Sequence, residues 1–200
     1  FKYYRQGTNV DGTNNIPHEK CHISTRSYPY LLAQHMQLGS PLMNPNTQWQ
    51  SVACSGALIR DSLWSDPSYM GQDSRLHGFG SFQQMQTTAL NEFIPGRVKQ
   101  IEFVKKYKPR VITLTMGGND IGFADKIEQC AHPGKSLDTC RVASPEGRAA
   151  LKSQIDGQYE NLKLLYANLY EASGRQAKIY VLGYPQFISD AEMQSCSGIA

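Results

Sequence analysis

The stretch "VITLTMGGNDIGF", residues 111–123, constrains this chain more than any other. Its first six residues are β-branched or apolar and do not alternate with polar ones, which is the pattern of a central parallel strand buried on both faces. A parallel strand cannot be reached through a two-residue hairpin, so crossover helices must flank it. Val98, Ile101 and Val104 supply one helical stripe, which stops before Lys108-Pro109 because proline disfavours helix in the residue ahead of it. Leu151, Ile155, Leu162, Leu165 and Leu169 predict an amphipathic helix closed by Gly174. "KIYVLGYP" then reads as another buried strand, ending at Gly183 with Pro185 behind it.

Upstream, Tyr28, Leu31, Leu32 and Met36 share one helical face, and "WQSVACSGA" predicts a short buried strand over 49–53 that ends at Ser55-Gly56. "LIRDSLW" predicts the start of a helix. The first 26 residues are polar and rich in Gly, Asn and Thr, so they read as loop, and 65–81 and 122–147 read as long irregular excursions. The alternation of strand and helix gives an α/β fold with a parallel sheet. Ligands of such sheets bind beyond the carboxyl ends of the strands. That rim holds Gly56, the 117–120 turn and Gly183-Tyr184.

The chain is 200 residues long, the size of one domain, and is 40% apolar with 18% charged residues. No apolar run approaches the roughly 20 residues of a membrane helix. The net charge of +3, from scattered basic residues, argues against a nucleic-acid partner. Five cysteines are many for a reducing compartment, and none forms a CxxC pair. His18, Cys21 and His22 are too few for a closed zinc site, so neither a metal nor an organic cofactor is expected. Disulfides suit the pattern better and point to a secreted protein. A Cys130–Cys140 bridge would close a short loop and a Cys21–Cys54 bridge a longer one, stabilising by roughly 3 and 4 kcal/mol in the chain-entropy model. Cys196 is left over.

Asn119 is the residue that asks for chemistry. Acyl transfer needs fixed donors for the oxyanion that forms at an ester carbonyl, and losing one typically costs about 3 kcal/mol of barrier. A strand-end amide and the N–H of an unobstructed glycine serve well, which makes Asn119 and Gly56 candidates. A turn residue bonding its own backbone is the structural alternative for Asn119.

"CHISTRSYPYLLA", "VACSGA", "KPRVITLTMGGNDIGF" and "VLGYP", in this order and with these cysteines, resemble the SGNH, or GDSL-type, hydrolases, particularly secreted bacterial lipases and esterases. The resemblance covers nearly the whole chain. It implies a three-layer α/β/α sandwich, oxyanion roles for Gly56 and Asn119, and a turn-organising role for Asp120. Gly118 and Phe123 become candidate substrate-binding residues, with Tyr69, Phe79 and Phe82 as further apolar wall. The implied partner is an ester, lipid or acylated carbohydrate, cleaved through a serine acyl-enzyme.

The family's Gly-Asp-Ser and Asp-x-x-His segments have no counterpart here. The chain is therefore expected to be one SGNH-like domain over 1–200, truncated at both ends and inactive alone, with the partner of Cys196 lying outside it. "RDSL", 60–63, mimics the serine motif, but Arg60 replaces its glycine and it follows the oxyanion-glycine segment, so Ser62 reads as a helix-surface serine. "HPGKS" lacks the glycine a phosphate loop needs at 129. His18, His22, His35, His77 and His132 all precede the last helix and read as surface or structural residues. The alternative function is a non-catalytic module of the same fold that binds glycan, lipid or protein.

Overall fold

Val111–Leu114 (β1) and Lys178–Val181 (β2) pair in parallel, Val111 opposite Lys178 and Leu114 opposite Val181. One more ladder bond, Leu182 N–H to Leu114 O at 2.9 Å, carries the pairing past the end of β2. The computed structural model describes residues 26–38, 48–63, 81–91, 98–131 and 144–184. Seven helices are found among them: Tyr28–His35 (α1), Ile59–Leu63 (α2), Phe82–Asn91 (α3), Gln100–Tyr107 (α4), Phe123–Ala131 (α5), Pro145–Asp156 (α6) and Tyr159–Ala172 (α7). Helices with a small parallel sheet are compatible with the α/β expectation.

The core lies on one face of this sheet. Ile59 of α2, Ile101 and Val104 of α4, and Leu165, Leu169 and Ala172 of α7 are buried together against Ile112, Leu114 and Ile179. Thr113 alternates to the opposite face, where its Oγ1 lies 3.1 Å from the Tyr28 hydroxyl at the start of α1. α1 thus reaches the second face through this one side chain. α4 ends as its proline predicts, with Lys108 in the left-handed region (φ 46°). The Lys108 ammonium donates to Ala172 O at 2.7 Å, satisfying a carbonyl that the end of α7 leaves open.

Four expectations need correction. Residues 49–53 form no ladder: Trp49 packs edge-on to Tyr30, and the Val52 carbonyl accepts from the Gln100 amide at 2.9 Å, so a side chain takes the place of a neighbouring strand. The helix expected through 151–169 is two helices, broken at Gly157-Gln158. Glycine is poor in a helix interior, and Gly157 N–H to Ser153 O with Gln158 N–H to Ile155 O closes a tight turn there. Ile155 consequently faces solvent and is 51% exposed. The 122–147 excursion begins with α5, whose Phe123, Ile127 and Ala131 recur at helical spacing, and α3 follows the 65–81 segment.

The fourth correction is Ser62, which lies inside the fold and not on its surface. It is 2% exposed, and its Oγ donates to Gln100 Oε1 at 2.6 Å. With its proton committed to the half-buried Gln100 amide, Ser62 bridges α2 and α4. Of the expected loops, residues 1–25, 65–80 and 132–143 lie outside the described residues.

Candidate oxyanion site

Two turns meet at the carboxyl ends of the strands. The first, Cys54-Ser55-Gly56-Ala57, is closed by Ala57 N–H to Cys54 O at 3.1 Å. Gly56 sits third in it with φ +80°, the left-handed value a type II turn requires at that position. It is exposed, and nothing among the described residues lies within 4 Å of where a Cβ would stand. An approaching ligand therefore meets bare backbone.

The second turn leaves β1 through Gly117 (φ +109°) and passes Gly118-Asn119-Asp120 into α5. Phe123 N–H to Gly118 O and Gly122 N–H to Asn119 O, both 3.0 Å, fold it back on itself. Asn119 does not spend its amide on that backbone. Its Nδ2 donates instead to Ala57 O at 2.9 Å, across 62 residues of sequence. A carbonyl only accepts, so the partner fixes which end of the amide is nitrogen. An NH₂ group has two protons, and this bond orients the second. The residue beside Ala57 is Gly56, so both candidate donors stand on one small surface.

Asp120 makes the reciprocal link. Helix α2 starts at Ile59, and Leu58 ahead of it has no side-chain acceptor for the first orphan N–H groups. Asp61 reaches back to Leu58 N–H at 2.8 Å, half of a capping box. Asp120 supplies the rest from the other turn, accepting from Ile59 N–H with both oxygens at 3.1 and 3.2 Å. The sequence reading of Asp120 as a turn organiser was too local, since its carboxylate ties two turns together. A helix start with leucine at the cap position is the one sequence signal that could have pointed to a distant acceptor.

The other expected residues fall as follows. Gly118 is buried, and Phe123 opens α5 with its ring 5.8 Å from that of Tyr184. Cys54, immediately before the first turn, is in a disulfide. Cys130 lies near the end of α5. Its side chain, and Cys21, Cys140 and Cys196 altogether, lie outside the described residues, as do Tyr69, Phe79 and the Phe82 side chain. His35 ends α1 in solvent, and the other histidines lie outside the description. Among the described residues no group of three or more His, Cys, Asp or Glu could hold a metal ion. None of the described helices is long and apolar enough to cross a membrane.

No protein-family model matches the chain, and no solved structure matches it. Curated relatives do. A protein named Lipase from Streptomyces rimosus is 26% identical over 169 residues, covering 84% of this chain and 44% of that protein. Lipase 1 of Streptomyces coelicolor is 30% identical over 79 residues, covering 38% of this chain and 26% of that protein. The chain spans less than half the length of these relatives. Similarity to one of these lipases along most of its own length suggests a lipase-type family.

Proposed function

We propose that this chain is the oxyanion-hole portion of a secreted ester hydrolase of SGNH type. The observation that carries the reading is the Asn119–Ala57 bond, which sets a side-chain amide beside the bare Gly56 backbone. In the reaction, a serine hydroxyl attacks the ester carbonyl while a histidine takes its proton. The carbonyl oxygen becomes negative and is held by the free Nδ2 proton of Asn119 and the Gly56 N–H. Both donors are set before substrate arrives, so little reorganisation accompanies charge development. Histidine then returns the proton to the leaving alcohol, and water releases the acyl group. Serine and histidine come from Gly-Asp-Ser and Asp-x-x-His segments outside this chain.

Phe123 and Gly118 border the acyl or alcohol side. The three-layer sandwich is supported by the helices packed on one face of the β1–β2 sheet and the Tyr28 contact from α1 on the other, and export by the Cys54 disulfide, which we pair with Cys21. A fluorophosphonate probe tests the reading. It should label a protein carrying the serine and histidine segments and leave the 200-residue chain unlabelled. Labelling of Ser62 in the short chain, or none in the longer protein, overturns it.

A further inference from the structure

Gly118 is a glycine for a different reason from its neighbours. Gly56, Gly117 and Gly122 have left-handed φ values, whereas Gly118 does not. What excludes a side chain there is Tyr184: a Cβ on Gly118 would lie 2.5 Å from the tyrosine oxygen and 2.7 Å from the ring carbon that bears it. The tyrosine fills that space to take a hydrogen bond. Gly118 N–H, buried in the turn, donates to the Tyr184 hydroxyl at 2.8 Å.

The position of Tyr184 is set from two further directions. The ladder bond from Leu182 to Leu114 extends the strand register, and continuing it residue by residue brings Tyr184 beside the glycine turn. The ring then rests against Phe123, at 5.8 Å and tilted by 35°. The hydroxyl thus grips the Gly117–Gly118 peptide, one residue ahead of Asn119, while Ala57 grips the Asn119 amide itself.

We propose that Tyr184 is a positioning residue for Asn119, holding the Gly118 peptide so that the amide presents its second proton to the oxyanion. The inference rests on the oxyanion reading of Asn119 for its catalytic meaning, but the grip can be tested without turnover. Three consequences distinguish it from a general packing role. The ring alone cannot hold the turn, so removing only the hydroxyl must loosen it. The loosening must be felt at the Asn119 side chain. Room for a methyl at Gly118 must depend on which side chain stands at 184.

The experiment is ¹H–¹⁵N NMR on the 200-residue chain and its variants. Tyr184→Phe should raise the Gly118 amide exchange rate at least about tenfold, as expected for a buried N–H that loses its acceptor. It should also shift the paired Asn119 Nδ2 proton signals, with Ile112 and Thr113 amides in β1 unchanged. Unchanged Gly118 exchange or unmoved Asn119 signals overturn the proposal. If Tyr184→Phe loses the dispersed β1 signals, the decision passes to a second pair. Gly118→Ala should displace the Asn119 signals in the parent chain and leave them in place in a Tyr184→Ala background, relative to Tyr184→Ala alone. Equal displacement in both backgrounds refutes the grip. Failure of the ester-hydrolase reading would appear elsewhere, as intact turnover in an Asn119 variant, and would leave these signals as expected.

Discussion

Removing the Asp120 carboxylate should unlatch one turn of the site from the other, and the size of the effect follows from what it accepts. Ile59 is 3% exposed, and its N–H has Asp120 as its acceptor at the start of α2. A bond to a charged acceptor contributes about 1.5–3 kcal/mol, and orphaning a buried donor costs about 1–3 kcal/mol. Asp120→Ala should therefore favour local opening at Ile59 by about 2 kcal/mol. At 1.4 kcal/mol per factor of ten, that is roughly 30-fold faster amide exchange. Asp120→Asn keeps one carbonyl oxygen and loses only the charge, which is worth about 1 kcal/mol, or roughly fivefold. Native-state hydrogen exchange reads both. The Leu58 N–H, held by Asp61, and the Leu165 amide in α7 serve as internal references and should not move. Equal effects of the two variants, or an unchanged Ile59 amide, would refute the latch.

Leu165 is fully buried among α2, α4 and β1, so Leu165→Ala should cost about 3 kcal/mol, read as a lowered urea midpoint; a loss under about 1 kcal/mol contradicts the core assignment. Burial raises the Tyr30 hydroxyl pKa to about 12 from 10. The unfolded chain ionises first, so this residue's contribution is complete below pH 10 and declines as pH rises from 10 to 12. Tyr30→Phe should flatten that decline in midpoints measured between about pH 8 and 11.5, and an identical slope refutes it. Among the described residues β2 pairs only with β1 and carries exposed Tyr180 and Val181, so the chain should associate in sedimentation velocity and Val181→Lys should weaken association. A monomer at every concentration contradicts this.

The elements that sequence alone delivered are those whose cause is local. β-branched residues before Gly117 make β1, the Ile101 and Val104 stripe makes α4, and Lys108-Pro109 ends it. The rim was legible for the same reason, since strand ends and glycine turns are written in consecutive residues. The contacts that join the rim are not. Asn119 to Ala57 and Asp120 to Ile59 span about sixty residues, and no spacing rule links them. Residues 49–53 have the composition of a strand, but a strand is made by its neighbour, and here Gln100 occupies that place. Ser62 was misread because a five-residue helix has too little periodicity to reveal which face is inward. Nothing local explains why residue 118 is glycine, because what excludes a side chain there is a tyrosine arriving from the far end of the described chain.

The most direct test concerns the second proton of Asn119. In a protein carrying the serine and histidine segments, Asn119→Ala should be assayed on a soluble ester for kcat and KM separately. An oxyanion donor acts on the transition state, so kcat should fall about 10²–10³-fold with KM little changed. A kcat within about threefold of the parent, or a loss confined to KM, would contradict the assignment.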